Sequence, residues 1–345
     1  MTLSRSEVRE RLREVEDPEL GEDVVSLEMV ESIEVDADAD VVSLDIDVPN
    51  EDVREQVEAD IRDEFDDVEL SLSWNVEATS GEESQLLPDV DRVVAVSSGK
   101  GGVGKSTYAV NLACHLARDN DVGLLDADVY GPNVPRMLGE TEPPRVTRDE
   151  TLIPPEKHGV EVMSMGYLTN EDSPVVWRGA MVHKALTQLL GDVEWGSLDY
   201  LVVDLPPGTG DAQLTIAQTV PVTGAVIVTT PQSVSIDDSR KGVEMFRRAD
   251  VEVAGVVENM SGFVCPDCGG EHDVFGAGGG ERLADEEDVE FLGSIPLDPR
   301  VRDASDAGEP VVLEGDSVVR DAIVASVDAV VDSLDEIERR SLPML

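Results

Sequence analysis

The sequence predicts an α/β protein: a doubly wound, mainly parallel sheet preceded by a small α+β domain. Three observations carry that expectation. Short apolar runs recur from about residue 90 onward: RVVAVS, DVGLLDAD, EVMSMG, LDYLVVDLP, GAVIVTTP, VAGVVEN and FLGSIPL. Most are separated by helix-length segments, and runs apolar on both faces that alternate with helices imply a parallel sheet covered on both sides. The first run leads straight into a glycine-rich turn and then a helix.

The N-terminal segment has a different texture. A helix is expected near 5–15, before DPEL; VESIEV and VVSLDIDV alternate as strands, with DADAD as the turn between them. NEDVREQVEADIRDEF reads as a helix capped by Asn50, with Val53, Val57 and Ile61 on its apolar stripe. VELSLSW alternates again, placing Val68, Leu70, Leu72 and Trp74 on one face. The polar run ATSGEESQ marks a linker. The expected organisation is a small domain at 1–78, a linker at 79–90 and the large domain at 91–345.

Charge narrows the partners. The 345 residues include 26 Lys and Arg against 75 Asp and Glu, a formal net charge of −49 spread along the whole chain. Apolar periodicity persists beneath it, so the acidity coats a folded protein and does not form a disordered arm. The composition resembles that of halophilic proteins, because at about 1 M salt the Debye length falls to about 3 Å and such a surface stops repelling itself. Nucleic acid and anionic membrane are not expected partners. No run of 18 apolar residues and no signal-peptide core occurs, which makes the cytoplasm the expected location.

GKGGVGKS at 99–106 fits G-x-x-x-x-G-K-[ST] between a strand and a helix. Backbone N–H groups of Gly99, Gly101, Gly102, Val103 and Gly104 are expected to close on phosphates, with Thr107 in the first turn of a helix whose N-terminus favours anions. Lys105 would reach the β- and γ-phosphates of ATP, and the Ser106 hydroxyl would ligate Mg²⁺. YLVVD, ending at Asp204, has the Walker B form, an apolar strand with a terminal carboxylate that holds Mg²⁺ through water. LLDAD, ending at Asp128, is a second such strand, and Asp128 would orient or deprotonate the attacking water. The expected enzyme is an ATPase.

The CPDC at 265–268 has metal-ligand spacing, with His272 nearby as a further donor. Thiolates suit zinc and iron–sulfur clusters alike, so spacing does not separate them. Cys265 and Cys268 are two ligands, and no second pair exists in the chain; a two-fold dimer would complete a four-thiolate site. Cys114, inside the helix after the phosphate loop, reads as a small buried residue.

SSGKGGVGKST, LLDADVYGPNVP, VVWRGAMVHKALTQLL, WGSLDYLVVDLPPGTGDAQLT, VENMSGFVCPDCG and FGAGGGERLA occur in this order. Together they resemble the Mrp-type iron–sulfur cluster carrier ATPases, of the deviant phosphate-loop class, over about 90–340. The N-terminal unit with DPEL resembles the iron–sulfur assembly-type domain often fused to them, although DVPNEDV lacks the cysteine many such domains carry. The resemblance implies that Lys100 crosses a homodimer interface to the partner's phosphates, and that Asn259 recognises adenine. DLPPGTGD and DVYGPNVP would be nucleotide-sensing switches. It also implies a [4Fe–4S] cluster shared by Cys265 and Cys268 of two subunits, with zinc the alternative occupant, and delivery to apo iron–sulfur proteins in company with assembly factors. The competing classes are a metal-free positioning ATPase, a nitrogenase-like electron donor and a zinc-stabilised regulatory ATPase. The C-terminal segment, apolar on one face but acidic, is expected to pack on the sheet and not on a membrane.

Overall fold

The computed structural model describes residues 4–15, 17–18, 23–27, 29–36, 41–48, 51–65, 68–76, 87–140, 142–148, 151–168, 179–265 and 270–341. The chain divides into two compact units, Met1–Gln85 and Leu86–Leu345.

In the first unit, α1 (Arg5–Arg11) starts at a capping box in which Ser4 and Glu7 satisfy each other's backbone N–H groups. Strands β1 (Val30–Asp36) and β2 (Val41–Val48) pair antiparallel. Helix α2 (Glu51–Glu64) then crosses over to β3 (Glu69–Val76), which pairs parallel with β2. Val53, Val57 and Ile61 are buried, as their spacing of four requires, and they join Val8, Leu12, Leu44, Ile46 and Phe65 in one core. Val68, Leu70, Leu72 and Trp74 pack against that core from one face of the third strand segment. The expected cap at Asn50 lies outside the described residues, as does most of the DADAD turn.

The second unit begins with β4 (Val90–Ser97), α3 (Lys105–Leu116), β5 (Val122–Asp126) and the short α4 (Val134–Met137). Three two-residue strands follow, β6 (Arg145–Val146), β7 (Leu152–Ile153) and β8 (Glu156–Lys157), then β9 (Val160–Ser164). Helix α5 (Gly179–Gly191) precedes β10 (Leu198–Asp204), α6 (Asp211–Thr219), β11 (Gly224–Thr229) and α7 (Ser233–Arg248). The chain continues through β12 (Val253–Val264), β13 (Glu271–His272), α8 (Gly279–Glu287), β14 (Phe291–Leu297), α9 (Pro299–Ala307) and α10 (Val318–Ser341).

Nine strands form one sheet, in the order β13-β12-β11-β4-β10-β5-β9-β8 with β14 also paired to β12. The pairings are parallel except at β8 and β13. Alternate residues of each central strand enter opposite cores. Val93, Ala95, Leu201, Val203 and Ile227 meet α5, α6, α7 and α8, whereas Val94, Val96, Val202, Val226 and Val228 meet α3, α9 and α10. This is why the runs read as continuously apolar.

The strand order matters for the site. β10 inserts between β4 and β5, so the carboxyl ends of three strands from distant parts of the chain lie side by side. α10 packs on the sheet through Val319, Ile323, Val327, Val330 and Leu334, all buried, and Ser333 Oγ donates to the Ala254 carbonyl at 2.7 Å. Among the described residues no helix is long and apolar enough to cross a membrane.

Candidate functional site

The phosphate loop sits between β4 and α3, and its backbone needs glycine at three places. At Gly104, which caps α3, φ is +89°, and a Cβ there would lie 2.2 Å from Asn259 Nδ2. At Gly99 a Cβ would lie 2.3 Å from the Asp238 carbonyl carbon, so α7 packs directly on the start of the loop. At Gly102 φ is +80°, and no atom of the described residues approaches within 4 Å of a Cβ position. The loop is therefore braced from below and open on one side, the form a phosphate cradle needs.

Lys105 and Asp204 form a buried ion pair at 2.6 Å, with side chains 6% and 0% exposed. Lys105 Nζ also lies 3.2 Å from Ser106 Oγ. Burial drives the Asp204 carboxyl upward from its ordinary pKa, and Lys105 opposes that shift. Its second oxygen, Oδ2, is buried without a partner among the described residues. An orphaned carboxylate oxygen beside a serine hydroxyl is a hard donor set suited to Mg²⁺, directly or through its water shell.

Register places Asp126, not Asp128, opposite Asp204: β5 ends at Asp126, whereas Asp128 lies two residues beyond the strand. Asp126 is fully buried. Its oxygens accept from the backbone N–H of Asp128 at 3.2 Å, the N–H of Val134 at 3.1 Å and Ser164 Oγ at 3.1 Å. Burial, followed by the neighbouring Asp204 charge, pushes its pKa up to about 7. Asp128 accepts from Tyr130 N and Gly131 N at 3.0 and 3.2 Å, and so shapes the DVYGPNVP turn. Sequence reading named Asp128 alone; the signal for Asp126 was the same LLDAD, which does not reveal where pairing stops.

The other candidate residues distribute around this centre. The loop after β10 is tied to the phosphate loop by Gly208 N donating to the Ser98 carbonyl at 2.8 Å, and Ser98 Oγ donates to the Lys100 carbonyl at 3.0 Å. Lys100 Nζ donates to Oε1 of Gln232, the N-cap of α7, at 3.4 Å. Asn259 donates through Nδ2 to the Val103 carbonyl at 2.8 Å and accepts from Met260 N at 2.9 Å. Its amide braces the loop.

β12 runs on past Asn259 into an antiparallel pairing with β13, Phe263 opposite His272 and Val264 opposite Glu271. Cys265 follows, half-buried, with its N–H donating to the Gly270 carbonyl at 2.9 Å. Cys268 lies outside the described residues. His272 is exposed, and no cluster of three metal-ligating side chains occurs among the described residues. Cys114 is buried in α3 and burial pushes its thiol up to about 12, so it is an inert core group.

Sequence reading missed Glu258. It is 1% exposed, and its carboxylate accepts from Ser261 Oγ at 2.6 Å, Gly278 N at 2.9 Å and Gly280 N at 2.6 Å. Only the FGAGGG run hinted at it, as a glycine-rich turn opening a helix with an anion to be found.

Comparison with known proteins adds to this geometry. Residues 89–332 match the ParA family described as NUBPL iron-transfer P-loop NTPase, and residues 5–77 match the iron–sulfur cluster assembly protein family. An iron–sulfur cluster carrier protein of Deinococcus radiodurans is 50% identical, over 88% of this chain and 87% of its own. The mouse iron–sulfur cluster transfer protein NUBPL is 51% identical over 66% of this chain and 72% of its own. Among solved structures, a nucleotide-binding protein of Archaeoglobus fulgidus in complex with ADP superposes with a TM-score of 0.59, at 39% identity, covering 67% of this chain and 91% of that one. The cell division ATPase MinD of Pyrococcus furiosus, 21% identical with a TM-score of 0.53, shares the fold.

Proposed function

Because this chain belongs to the NUBPL iron-transfer P-loop NTPase family, we propose that it hydrolyses ATP and carries an iron–sulfur cluster on Cys265 and Cys268 for delivery to apo-proteins. The observation that carries the reading is a single strand serving both chemistries. β12 touches the phosphate loop through Asn259 and, six residues on, presents Cys265. At about 3.3 Å per residue the two are within about 20 Å along the chain.

At the nucleotide, the backbone N–H groups of 99–104 bind phosphate oxygens and Lys105 neutralises their charge. Mg²⁺ would be held by Ser106 and Asp204 and would offset the negative charge of the transferring phosphoryl group. Asp128 positions the attacking water. Lys100 reaches the phosphates of a second copy in the manner of an arginine finger. Asn259 offers its remaining N–H to adenine.

The cargo needs four ligands where one chain offers two thiols, so the cluster, of the [4Fe–4S] type, bridges a homodimer. Zinc is the competing occupant. We read residues 1–78 as the assembly-type domain and assembly factors as its partners. The protein acts in the cytoplasm without nucleic-acid or membrane partners.

Anaerobic reconstitution with iron and sulfide tests this, alongside a Cys265→Ser/Cys268→Ser variant. About four irons and four sulfides per dimer, lost in the variant, are expected. Stoichiometric zinc that resists replacement would instead make the motif a structural clamp.

A further inference from the structure

We infer that Glu258 is a positioning residue that couples the nucleotide site to the cysteine hairpin, by clamping both feet of the excursion that carries Cys265. This rests on the carrier reading for its purpose, but not for its geometry.

Beyond Ser261, β12 pairs with β14 as far as Phe263 and with β13 at Phe263 and Val264, Cys265 follows it, and at Gly278 the chain opens α8. Glu258 sits beneath that excursion and holds both of its ends. Oε1 takes Ser261 Oγ from β12 and Gly278 N from the N-cap of α8; Oε2 takes Gly280 N from its first turn. One buried carboxylate thus ties β12 to the start of α8, and its charge is met by the N-terminal amides of that helix.

The next residue faces the other site. Asn259 holds the Val103 carbonyl of the phosphate loop. Consecutive residues of a strand point to opposite faces, so a single peptide joins the loop that closes on phosphate to the clamp under the cysteines. Just beyond it the strand is irregular. Five residues of β12, from Asn259 to Phe263, span what β14 covers in three, Ile295 to Leu297. Met260 and Gly262 both take left-handed backbone, φ +59° and +72°. Such a bulge redirects the strand, and its shape is set by the two side chains before it. A shift of Val103 as the loop closes on phosphate moves Asn259, and through the shared peptide moves the clamp.

The test is the alkylation rate of Cys265 and Cys268 by iodoacetamide in the full-length protein, read by peptide mass spectrometry with and without Mg-ATP. Cys114, buried, serves as the internal unreactive control. In the wild type Mg-ATP changes the rate by about fivefold or more. Glu258→Gln keeps the shape, but with an NH₂ at one end it cannot accept from both Gly278 N and Gly280 N, which sit on different oxygens; its thiols react faster and the ratio falls toward one. A role confined to structure would raise both rates and leave their ratio unchanged. Ser261→Ala releases one foot only and carries the test should Glu258→Gln fail to fold; it lowers the ratio part of the way. A wild-type ratio near one, or a ratio preserved in the variants, overturns the inference. Iron bound by the same samples is read separately, so a chain that couples thiol reactivity to ATP yet holds no cluster would sink the carrier reading and leave this one standing.

Discussion

Lys105 Nζ lies 2.6 Å from Asp204 Oδ1, a buried pair that joins the phosphate loop to the end of a strand 99 residues further along the chain. Asp126 stands on the far side of Asp204 in register. One ammonium therefore serves two buried carboxyl groups, and the balance of the site depends on it.

Removing that ammonium has two effects. Lys105→Ala is expected to abolish measurable nucleotide binding, read by calorimetry with ADP. Breaking one side of a buried ion pair costs about 3–5 kcal/mol. The loss, measured by urea denaturation, should be smaller at pH 5 than at pH 8, because Asp204, already raised by burial, can then take up a proton. Equal losses at both pH values would contradict a charged Asp204.

Asp126 sets a pH dependence of its own. Above about pH 4 the unfolded chain releases this proton, while the folded chain holds it until about 7. The stabilisation from this group is thus full at low pH and is lost as pH rises through that window. Asp126→Asn cannot ionise, so its melting temperature should fall less between pH 5 and pH 8 than that of the wild type. Glu161, pushed up to about 7 by burial and by Glu156 and Asp121, keeps part of the slope; adding Glu161→Gln should flatten it further. A steeper slope in Asp126→Asn would refute the assignment.

The contact between Asn259 and the loop is open to a double-mutant cycle. Gly104→Ala places a methyl on the Asn259 amide and strains a left-handed residue. It should weaken ADP binding more than Asn259→Ala does. In the double variant the clash disappears and the strain stays, so the two effects should fall short of additive by about 0.5–3 kcal/mol. Strict additivity would mean that the two side chains do not meet.

Salt is the fourth lever. A chain of net charge −49 repels itself and ATP at low ionic strength. The ATPase rate should rise with KCl toward about 1 M, where the Debye length is about 3 Å. A rate that peaks at low salt would count against the halophilic reading.

Much of this was legible in contiguous residues. Turn chemistry and apolar periodicity are local, so GKGGVGKS between a strand and a helix announced the phosphate loop, and YLVVD announced Asp204. The spacing of Val53, Val57 and Ile61 announced one face of α2. Pairing between distant segments decided the rest. Asp126 became the carboxylate beside Asp204 only because β10 inserts next to β5. Asn259 became a brace for Val103, 156 residues away, and Glu258 a clamp on Gly278 and Gly280, only once β12 was laid along the sheet. The sequence by itself determined which chemistries the chain carries, since each is written in a few adjacent residues. The tertiary structure alone decided which side chains share a charge or a hydrogen bond, because strand order brings them together and no local pattern encodes it.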